Sequence, residues 1–303
     1  MPKIKTTFSG NPLDRADLLR GEDDILTDRL NSKSAKVMLL WDNCILSDEA
    51  TGNICWVSGN TLNDATVKRV ILLGMFDDIL YYAADLNREI ATGGKFRDLR
   101  VIAYKLNAPM GDQGSLGMAA QAKSMLNWHD SHQHCAACGG ETHMIKAGYE
   151  RVCPSCDTHH FPRTDPVVIM LGVRGDKAMI GRGPQLPKGM FTALAGFMEP
   201  GESIEEAVRR ELMEETGVIV GDVQYITSQP WPYPSSLMIG CHAEIISGEG
   251  IPDGVEVEDV RWVTREEART ALKEHREDMF RLSPQYAIAH QLIQAWINDH
   301  QTS

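Results

Sequence analysis

This 303-residue chain contains a row of glutamates whose spacing along a predicted helix could bind a ligand or support catalysis. The stretch AGFMEPGESIEEAVRRELMEETGV covers residues 195–218, and its turn signals predict a helix from about Ser203 to Thr216. At 3.6 residues per turn, Glu211 and Glu215 fall inside the apolar stripe of this helix. Like charges four residues apart cost about 0.2–0.5 kcal/mol even on a wet surface, and burial raises that cost. A solvated acidic helix, the alternative, would place its acids opposite the stripe, so we expect a compensating partner here.

Four cysteines form the second such group. Cys135, Cys138, Cys153 and Cys156 make two CxxC pairs, and two such pairs supply the four thiolates of tetrahedral zinc. A redox role for the Cys-Pro-Ser-Cys pair is the weaker alternative, because a thioredoxin-like site has no use for the other pair. Four thiolates leave no open position on the metal, so we predict one structural zinc per chain. The remaining cysteines, 44, 55 and 241, are expected to pack as small apolar residues.

The elements around these groups divide the chain into three predicted parts. Short β-like runs, KVMLLWD, NICWVSG and LRVIAYKL, predict an N-terminal α/β domain over residues 1–128. The helix MAAQAKSMLNWHD then leads into a zinc ribbon over 129–162. The part from 163 to 303 begins with a hairpin around Gly175-Asp176 and continues through the acidic helix to strands near VQYITSQ, LMIGCHAEII and VEDVRWV. A last amphipathic helix is predicted to begin at Ser283-Pro284.

Composition excludes some classes of function. The formal net charge of −12 argues against a broad nucleic-acid or anionic-membrane surface, because such surfaces are bound through clustered Lys and Arg. The first thirty residues contain no apolar core of signal-peptide length, and the longest apolar run, VILLGMF at 70–76, is too short to cross a bilayer. We therefore expect a cytoplasmic protein without a membrane partner.

The acidic stretch resembles the signature of the Nudix hydrolase family. Gly196, Glu202, the run Arg210-Glu211-Leu212, Glu214-Glu215 and Gly217-Val218 match it position by position. SQPWPYPSS at 228–236 and the CxxC pairs resemble the NADH pyrophosphatase branch of that family. The resemblance implies a Nudix α/β/α sandwich with a mixed sheet, preceded by a zinc ribbon and an N-terminal α/β domain.

The resemblance also implies roles for individual residues. Carboxylates at i and i+4 on one helical face can hold Mg²⁺ or Mn²⁺ while phosphate and water oxygens complete the shell. The implied metal ligands are the Ala195 carbonyl, Glu211, Glu215 and a later carboxylate, for which we choose Glu256 over Glu258 and Asp259. The implied catalytic residues are Glu211, Glu214 and Glu215, and which one acts as base stays open. Arg210 is expected to orient the glutamates by ion pairing, and Glu202 to support them.

The implied substrate contacts centre on SQPWPYPSS, where three prolines stiffen a loop that carries two aromatic rings. They are Phe161, Phe197, Gln229, Pro230, Trp231, Pro232, Tyr233, Pro234, Ser235, Ser236 and Ala289. Without the resemblance, an ordinary proline-rich surface loop is the better interpretation. At the aromatic-Pro-Arg segment, Phe161 stands where the family commonly has Tyr, so a hydroxyl contact is lost there.

The expected activity is metal-dependent hydrolysis of the diphosphate of NADH or NAD to AMP and nicotinamide mononucleotide. An NAD cap on an RNA 5′ end would fit the same requirement, since only the terminal diphosphate must be engaged. One alternative is another nucleoside-diphosphate substrate, such as ADP-ribose or a dinucleoside polyphosphate. A second is a non-catalytic zinc-ribbon nucleotide sensor, against which the intact glutamates count. The resemblance further implies a homodimer.

Overall fold

The computed structural model describes residues 4–63, 65–90, 93–106, 108, 112–273 and 280–299. Its backbone divides into two compact units, of which the N-terminal one spans Phe8–Thr164 and also takes in Pro230–Ser235. The C-terminal unit contains Asp165–Gln229 and Ser236 onward, together with the residues before Phe8. In the described residues, no helix is long and apolar enough to cross a bilayer.

A mixed six-stranded sheet forms the body of the N-terminal unit. The unit's helices and strands, in chain order, are α1 (Asp23–Leu30), β1 (Lys36–Trp41), β2 (Cys44–Ser47), β3 (Trp56–Ser58), β4 (Val67–Phe76), β5 (Ile79–Leu86), β6 (Lys95–Arg97), α2 (Leu99–Lys105), α3 (Gln113–Ser131), β7 (His143–Ile145), β8 (Glu150–Val152) and β9 (His159–His160). The sheet order is β4-β5-β1-β2-β6, with β3 also paired to β1. Strands β1 and β5 run parallel, and their neighbours are antiparallel. Strands β7, β8 and β9 form the small antiparallel sheet of the cysteine segment.

The C-terminal unit repeats this strand order. Its helices and strands are β10 (Asp165–Arg174), β11 (Lys177–Arg182), β12 (Met190–Phe191), β13 (Leu194–Phe197), α4 (Ile204–Thr216), β14 (Ile219–Trp231), β15 (Ser236–Ser247), β16 (Asp259–Thr264), α5 (Arg265–Lys273), β17 (Arg281–Leu282) and α6 (Ile288–Asn298). The sheet runs β14-β15-β10-β11-β16, with β13 also paired to β10. Its one parallel junction joins β10 to β15 in the described sheet, as β1 joins β5.

Successive residues of the central strand feed two cores on opposite faces of this sheet. Val168 and Met170 of β10 pack with the apolar side of α4, whereas Ile169 and Leu171 pack with α5 and α6. This alternation is the period of two that a strand buried on both faces requires. The predicted α/β/α sandwich with a mixed sheet is therefore confirmed.

The two units differ in the connection that follows the third strand of each sheet. In the C-terminal unit the acidic helix α4 lies between β13 and β14. The corresponding strands β3 and β4 are separated only by residues 59–66, which contain a short 3₁₀ turn at Gly59–Thr61. A connection of that length cannot hold a helix of 13 residues such as α4. In its described residues, the N-terminal unit therefore has the same strand order without a counterpart of helix α4.

Two predicted elements are wrong. LRVIAYKL was expected to be a strand, but Leu99–Lys105 is helical, with Leu99 and Ile102 buried on one side. The Asp98 side chain accepts a hydrogen bond from the Arg100 backbone N–H and so caps the helix. The last helix begins at Ile288 rather than at Ser283-Pro284, because the chain stays extended at Ala287. The other strands named from the sequence near the acidic helix form as expected, and so does its hairpin, which turns at Gly175 with a positive φ.

Candidate active site

The acidic helix α4 is fixed at both ends by its own sequence. At the start, the Ser203 side chain accepts from the Glu206 N–H, and the Glu206 carboxylate accepts from the Ser203 N–H, which completes a capping box. At the other end, Gly217 adopts a left-handed conformation with φ of 67°, which a residue with a side chain adopts reluctantly. The helix therefore occupies Ile204–Thr216, as the sequence predicts, and its rotational setting is defined.

This setting buries two acids among the apolar residues of the helix. Glu211 is 7% exposed and Glu215 is 6% exposed, whereas Glu205 and Met213 face solvent. Within the described residues, one carboxylate oxygen of Glu215, Oε2, is buried without a hydrogen-bond partner. A buried ionised oxygen without a partner is costly. For Glu215, the compensating partner that the sequence calls for is therefore not a protein group of the described residues.

Burial raises the pKa of Glu215 to about 8, and the charges of Glu211, Glu256 and Asp253 add to the effect. Burial also raises the pKa of Glu211, and Glu256 contributes to that shift as well. These mutual effects place the Glu256 carboxylate near both helical acids. Carboxylate oxygens are the hard donors that Mg²⁺ or Mn²⁺ prefers, and Glu215 Oε2 is a buried one without a protein partner. The residues present therefore fit a divalent cation.

Arg210 organises the carboxylates from the neighbouring side of the helix. Its guanidinium donates to Glu202, to Glu211 at 2.8 Å and to Glu214 at 3.0 Å, and also to the Phe197 carbonyl at 2.9 Å. The hydrogen bonds from Arg210 hold the pKa of Glu202 at about 2. The ion pairing expected of Arg210 is confirmed. Glu202 also accepts from the Glu199 N–H, so it closes the turn before the helix while it holds the arginine.

Strand β13 passes directly against the acidic face. A Cβ built on Gly196 would lie 1.9 Å from the Glu211 carboxyl carbon and about as close to both of its oxygens. Such a contact is impossible, so the glycine is what allows the carboxylate to sit against the strand. Ala195 precedes Gly196 in β13 and pairs with Ile169 of β10. The strand backbone at Ala195 is therefore held rigidly near the Glu211 carboxylate.

The three acids considered for the later loop differ in their partners. Glu258 forms an ion pair with Arg182, with 2.5 Å between Oε2 and Nη1, and Asp259 is part of strand β16 opposite Arg182. Glu256 is exposed and acts electrostatically on the helical acids. Asp253, which the sequence reasoning missed, accepts backbone N–H groups from residues 255–257 and so shapes this loop. Of the three acids weighed from the sequence, Glu256 is the one whose charge contributes to the pKa shifts of both Glu211 and Glu215.

The four cysteines of the ribbon converge. All four sulfur atoms lie within 4.8 Å of one another, and the distances are 3.6 Å between Cys135 and Cys156 and 3.5 Å between Cys138 and Cys153. Zinc–sulfur bonds of about 2.3 Å in a tetrahedron require sulfur–sulfur distances of nearly 4 Å. Each pair sits on a tight turn, in which the fourth residue after the first cysteine donates its N–H to the carbonyl of that cysteine. The four thiolates form a closed structural zinc site.

The predicted substrate contacts are distributed over several environments. Phe161 and Phe197 are 65% and 61% exposed, respectively. Gln229 is 1% exposed. Its amide nitrogen donates to the carbonyls of Thr7 and Tyr286, and its amide oxygen accepts from the Ile288 N–H. Ala289 is also 1% exposed and lies in the apolar core. Gln229 is thus bound within its own unit, and a ligand contact at Ala289 would use the backbone.

The remaining predicted contacts, apart from Ser236, lie in the segment Pro230–Ser235, which we call the aromatic array. Trp231 and Tyr233 are half-buried, and their ring centroids are 5.3 Å apart. Pro232 and Ser235 are buried, and Pro230 is half-buried. Just after the array, Ser236 begins strand β15 opposite Asp165. The two rings are therefore ordered by packing rather than extended into solvent.

Comparison with known proteins agrees with this geometry. The sequence matches an NADH pyrophosphatase-like rudimentary NUDIX domain at residues 34–128, an NADH pyrophosphatase zinc ribbon domain at 130–161 and a NUDIX domain at 163–286. It is 37% identical over 337 aligned positions to an NAD-capped RNA hydrolase of Pongo abelii, which covers 96% of this chain and 73% of the relative. The chain belongs to the Nudix hydrolase family, in its NADH pyrophosphatase branch.

Other relatives of this Nudix hydrolase come from distant organisms. An NAD-capped RNA hydrolase of Pseudomonas syringae is 34% identical, over 85% of this chain and 93% of the relative. The NAD-capped RNA hydrolase of Homo sapiens is 43% identical over 73% of this chain, and the chain spans 54% of the length of that relative. The fold and the zinc ribbon expected of this Nudix hydrolase are thus supported by both geometry and sequence.

Proposed function

We propose that this Nudix hydrolase cleaves the diphosphate bond of NADH or NAD to give AMP and the nicotinamide mononucleotide. The observation that carries the proposal is the buried pair Glu211 and Glu215, in which Glu215 has a buried oxygen without a protein partner that can bind a cation. Several relatives are named for hydrolysis of NAD-capped RNA or NAD(P)H. A dinucleotide diphosphate is consistent both with a cation held by the buried carboxylates and with the substrates in the names of the relatives.

The proposed metal ligands are Glu211, Glu215, Glu256 and the Ala195 carbonyl, and the proposed metal is Mg²⁺ or Mn²⁺. A bound divalent cation would neutralise charge on the diphosphate and lower the pKa of a water molecule. Glu211 and Glu215 would hold the cation from helix α4, and Arg210 keeps Glu211 and Glu214 in fixed orientations. Water adds to one phosphorus, its proton passes to a nearby carboxylate, and the bridging P–O bond breaks.

Glu214 is the most accessible of the three proposed catalytic glutamates. Its side chain is 60% exposed, and it forms an ion pair with Arg210. An exposed carboxylate that is held in place can accept a proton from water and release it to solvent, whereas Glu211 and Glu215 are enclosed. We propose the aromatic array, together with Phe161, Phe197 and the neighbouring residues named from the sequence, as the groups that bind the dinucleotide.

A second proposed activity is removal of the NAD cap from the 5′ end of RNA. It is favoured by the names of the relatives in Homo sapiens and Pseudomonas syringae, and it requires the same diphosphate chemistry. The net charge of −12 means that recognition would be limited to the capped end rather than to the length of the RNA. A cytoplasmic location stays a prediction from the sequence, and one human relative is named as mitochondrial.

The test is a substrate panel with purified protein. NADH, NAD, ADP-ribose and an NAD-capped RNA are each incubated with Mg²⁺ or Mn²⁺, and products are separated by chromatography. AMP together with the nicotinamide mononucleotide from NADH or NAD supports the proposal. Cleavage of ADP-ribose without cleavage of NADH would instead assign the alternative diphosphate hydrolase, and no cleavage of any substrate would assign the sensor. The resemblance also leads us to propose a homodimer, which a monomer mass in light scattering would refute.

A further inference from the structure

The aromatic array is held by side chains of the N-terminal unit, far from it in sequence. The Tyr233 hydroxyl donates to Asp98 at 3.3 Å, and the Arg100 guanidinium lies 3.6 Å from the centre of the Tyr233 ring. The same guanidinium is 5.7 Å from the Trp231 ring. Phe8 contacts both rings edge-on, with centroid distances of 5.9 and 6.5 Å. Two separate segments of the N-terminal unit, at Phe8 and at Asp98–Arg100, therefore contact this one loop.

Asp98 couples the array to helix α2. Its Oδ1 atom accepts from the Arg100 backbone N–H at 2.8 Å, which caps the helix, and from the Tyr233 hydroxyl. Capping fixes the first turn of α2 and thereby fixes the point from which the Arg100 side chain extends over Tyr233. A planar guanidinium on an aromatic face is favourable through both stacking and charge. The start of helix α2 therefore determines where the Arg100 guanidinium contacts the Tyr233 ring.

Helix α3 supplies the remaining support. Lys123 is 3% exposed, and its amine donates to the Asn43 carbonyl at 3.0 Å and lies 5.3 Å from the Tyr233 ring centre. The next residue, Ser124, donates its hydroxyl to the Pro234 carbonyl at 3.1 Å. Burying a lysine amine is unfavourable unless its contacts compensate it. The Tyr233 ring of the array is therefore one of the groups that surround the buried Lys123 amine.

We propose that Arg100, with Asp98 and Lys123, is a positioning residue that holds the aromatic array in its binding conformation. The proposal rests on the proposed function, in which the array binds the dinucleotide. Prolines restrict the shape of the loop, but they do not fix its place on the protein. The side chains of α2 and α3 would then contribute to substrate recognition by ordering this loop.

The consequence for kinetics is specific. If only a fraction of molecules has the array in place, the apparent affinity for the dinucleotide falls by that fraction. Arg100 does not touch the carboxylates that hold the metal, so turnover at saturation should be unchanged. For loss of a single cation–aromatic contact we expect KM for NADH to rise about three- to tenfold in Arg100→Ala, with kcat within about twofold of the original protein.

The experiment combines hydrogen exchange with kinetics. Exchange of the peptide that contains residues 228–236 is measured without substrate in the original protein and in the variants Arg100→Ala, Arg100→Lys and Arg88→Ala. Arg88 is an exposed arginine of the same unit and serves as the matched control. We expect faster exchange in Arg100→Ala, an intermediate rate in Arg100→Lys because lysine keeps the charge without the planar group, and no change in Arg88→Ala.

Two results would overturn the proposal. One is unchanged exchange at 228–236 in Arg100→Ala, and the other is a fall in kcat for NADH without a rise in KM. Tyr233→Phe, which removes only the hydroxyl, checks the Asp98 contact and should raise exchange by a smaller factor. Since the exchange measurement needs no substrate, it tests the positioning even if the original protein fails to cleave NADH, and that failure would refute the proposed function alone.

Discussion

Glu215→Gln removes one charge from the proposed metal face while it keeps the shape of the side chain. Folding raises the pKa of Glu215 from 4.5 to about 8, mainly through burial and then through the neighbouring acids. A carboxyl whose pKa rises on folding costs stability, and this cost grows as the pH rises from about 4.5 to about 8. The cost is about 3 kcal/mol at pH 7 and below about 1 kcal/mol at pH 5.

The metal-free variant should therefore be more stable than the original protein at pH 7, by at most about 3 kcal/mol, and the difference should shrink towards pH 5. The glutamine amide must find partners of its own, which is why this value is an upper limit. Melting temperatures are measured without added magnesium or manganese and without chelator, so that the structural zinc stays in place. Glu205→Gln, an exposed acid on the same helix, is the matched control and should change little.

Activity should change in the opposite direction. Loss of one metal ligand commonly costs several kcal/mol of transition-state stabilisation, and each 1.36 kcal/mol is about tenfold in rate. We expect NADH turnover with metal to fall by about 100-fold or more in Glu215→Gln and to stay normal in Glu205→Gln. If Glu215→Gln turned over NADH at a near-normal rate, the interpretation of the buried acids as a metal face would be wrong.

Three further predictions concern other parts of the protein. Gly196→Ala forces the Glu211 carboxylate to move, so NADH turnover should fall by about 100-fold while the fold persists; Gly93→Ala, where nothing lies within 4 Å, is the control. Elemental analysis of protein prepared without chelator should find one zinc per chain, and an absence of zinc would contradict the closed thiolate site. Burial lowers the pKa of His129 to about 4, so the neutral ring is required and stability falls as the pH drops below about 6.5. Between pH 7.5 and 5.5 we expect protonation of this histidine to lower the free energy of unfolding by about 1 kcal/mol. In urea denaturation, the free energy of unfolding should therefore fall more steeply over this pH range in the original protein than in His129→Gln.

The acidic helix was predictable because its signals are local. Ser203, Glu206 and Gly217 define the ends of the helix within a few residues, and the 3.6-residue period then assigns every side chain to a face. The burial of Glu211 and Glu215 follows from that period alone. Likewise, the CxxC turns bring each cysteine pair together over short distances, so the zinc site follows from spacing.

The segment LRVIAYKL shows where local pattern fails. Apolar residues at positions 99, 102 and 103 suit a helical face as well as they suit a short buried strand. The deciding contact is the Asp98 cap, a single hydrogen bond from the backbone. Short apolar runs remain ambiguous until such a contact is known.

The surroundings of the aromatic array were out of reach for a different reason. Tyr233 meets Asp98 and Arg100, which precede it by more than 130 residues. Nothing in the composition of SQPWPYPSS indicates which segment will lie against it. The shared strand order of the two sheets was also not predictable from the sequence. The strands of both sheets follow only the general preference of buried strands for apolar residues, which does not indicate how they pair.

If the buried carboxylates of α4 hold a cation for hydrolysis of a dinucleotide diphosphate, product formation must depend on that cation and on Glu215. NADH is incubated with the purified protein at increasing concentrations of Mn²⁺ or Mg²⁺, and AMP and the reduced nicotinamide mononucleotide are quantified together. We expect equal amounts of the two products, formed only when metal is present and nearly abolished in Glu215→Gln. Product formation that is independent of added metal, or unaffected by Glu215→Gln, would contradict this role of the carboxylates.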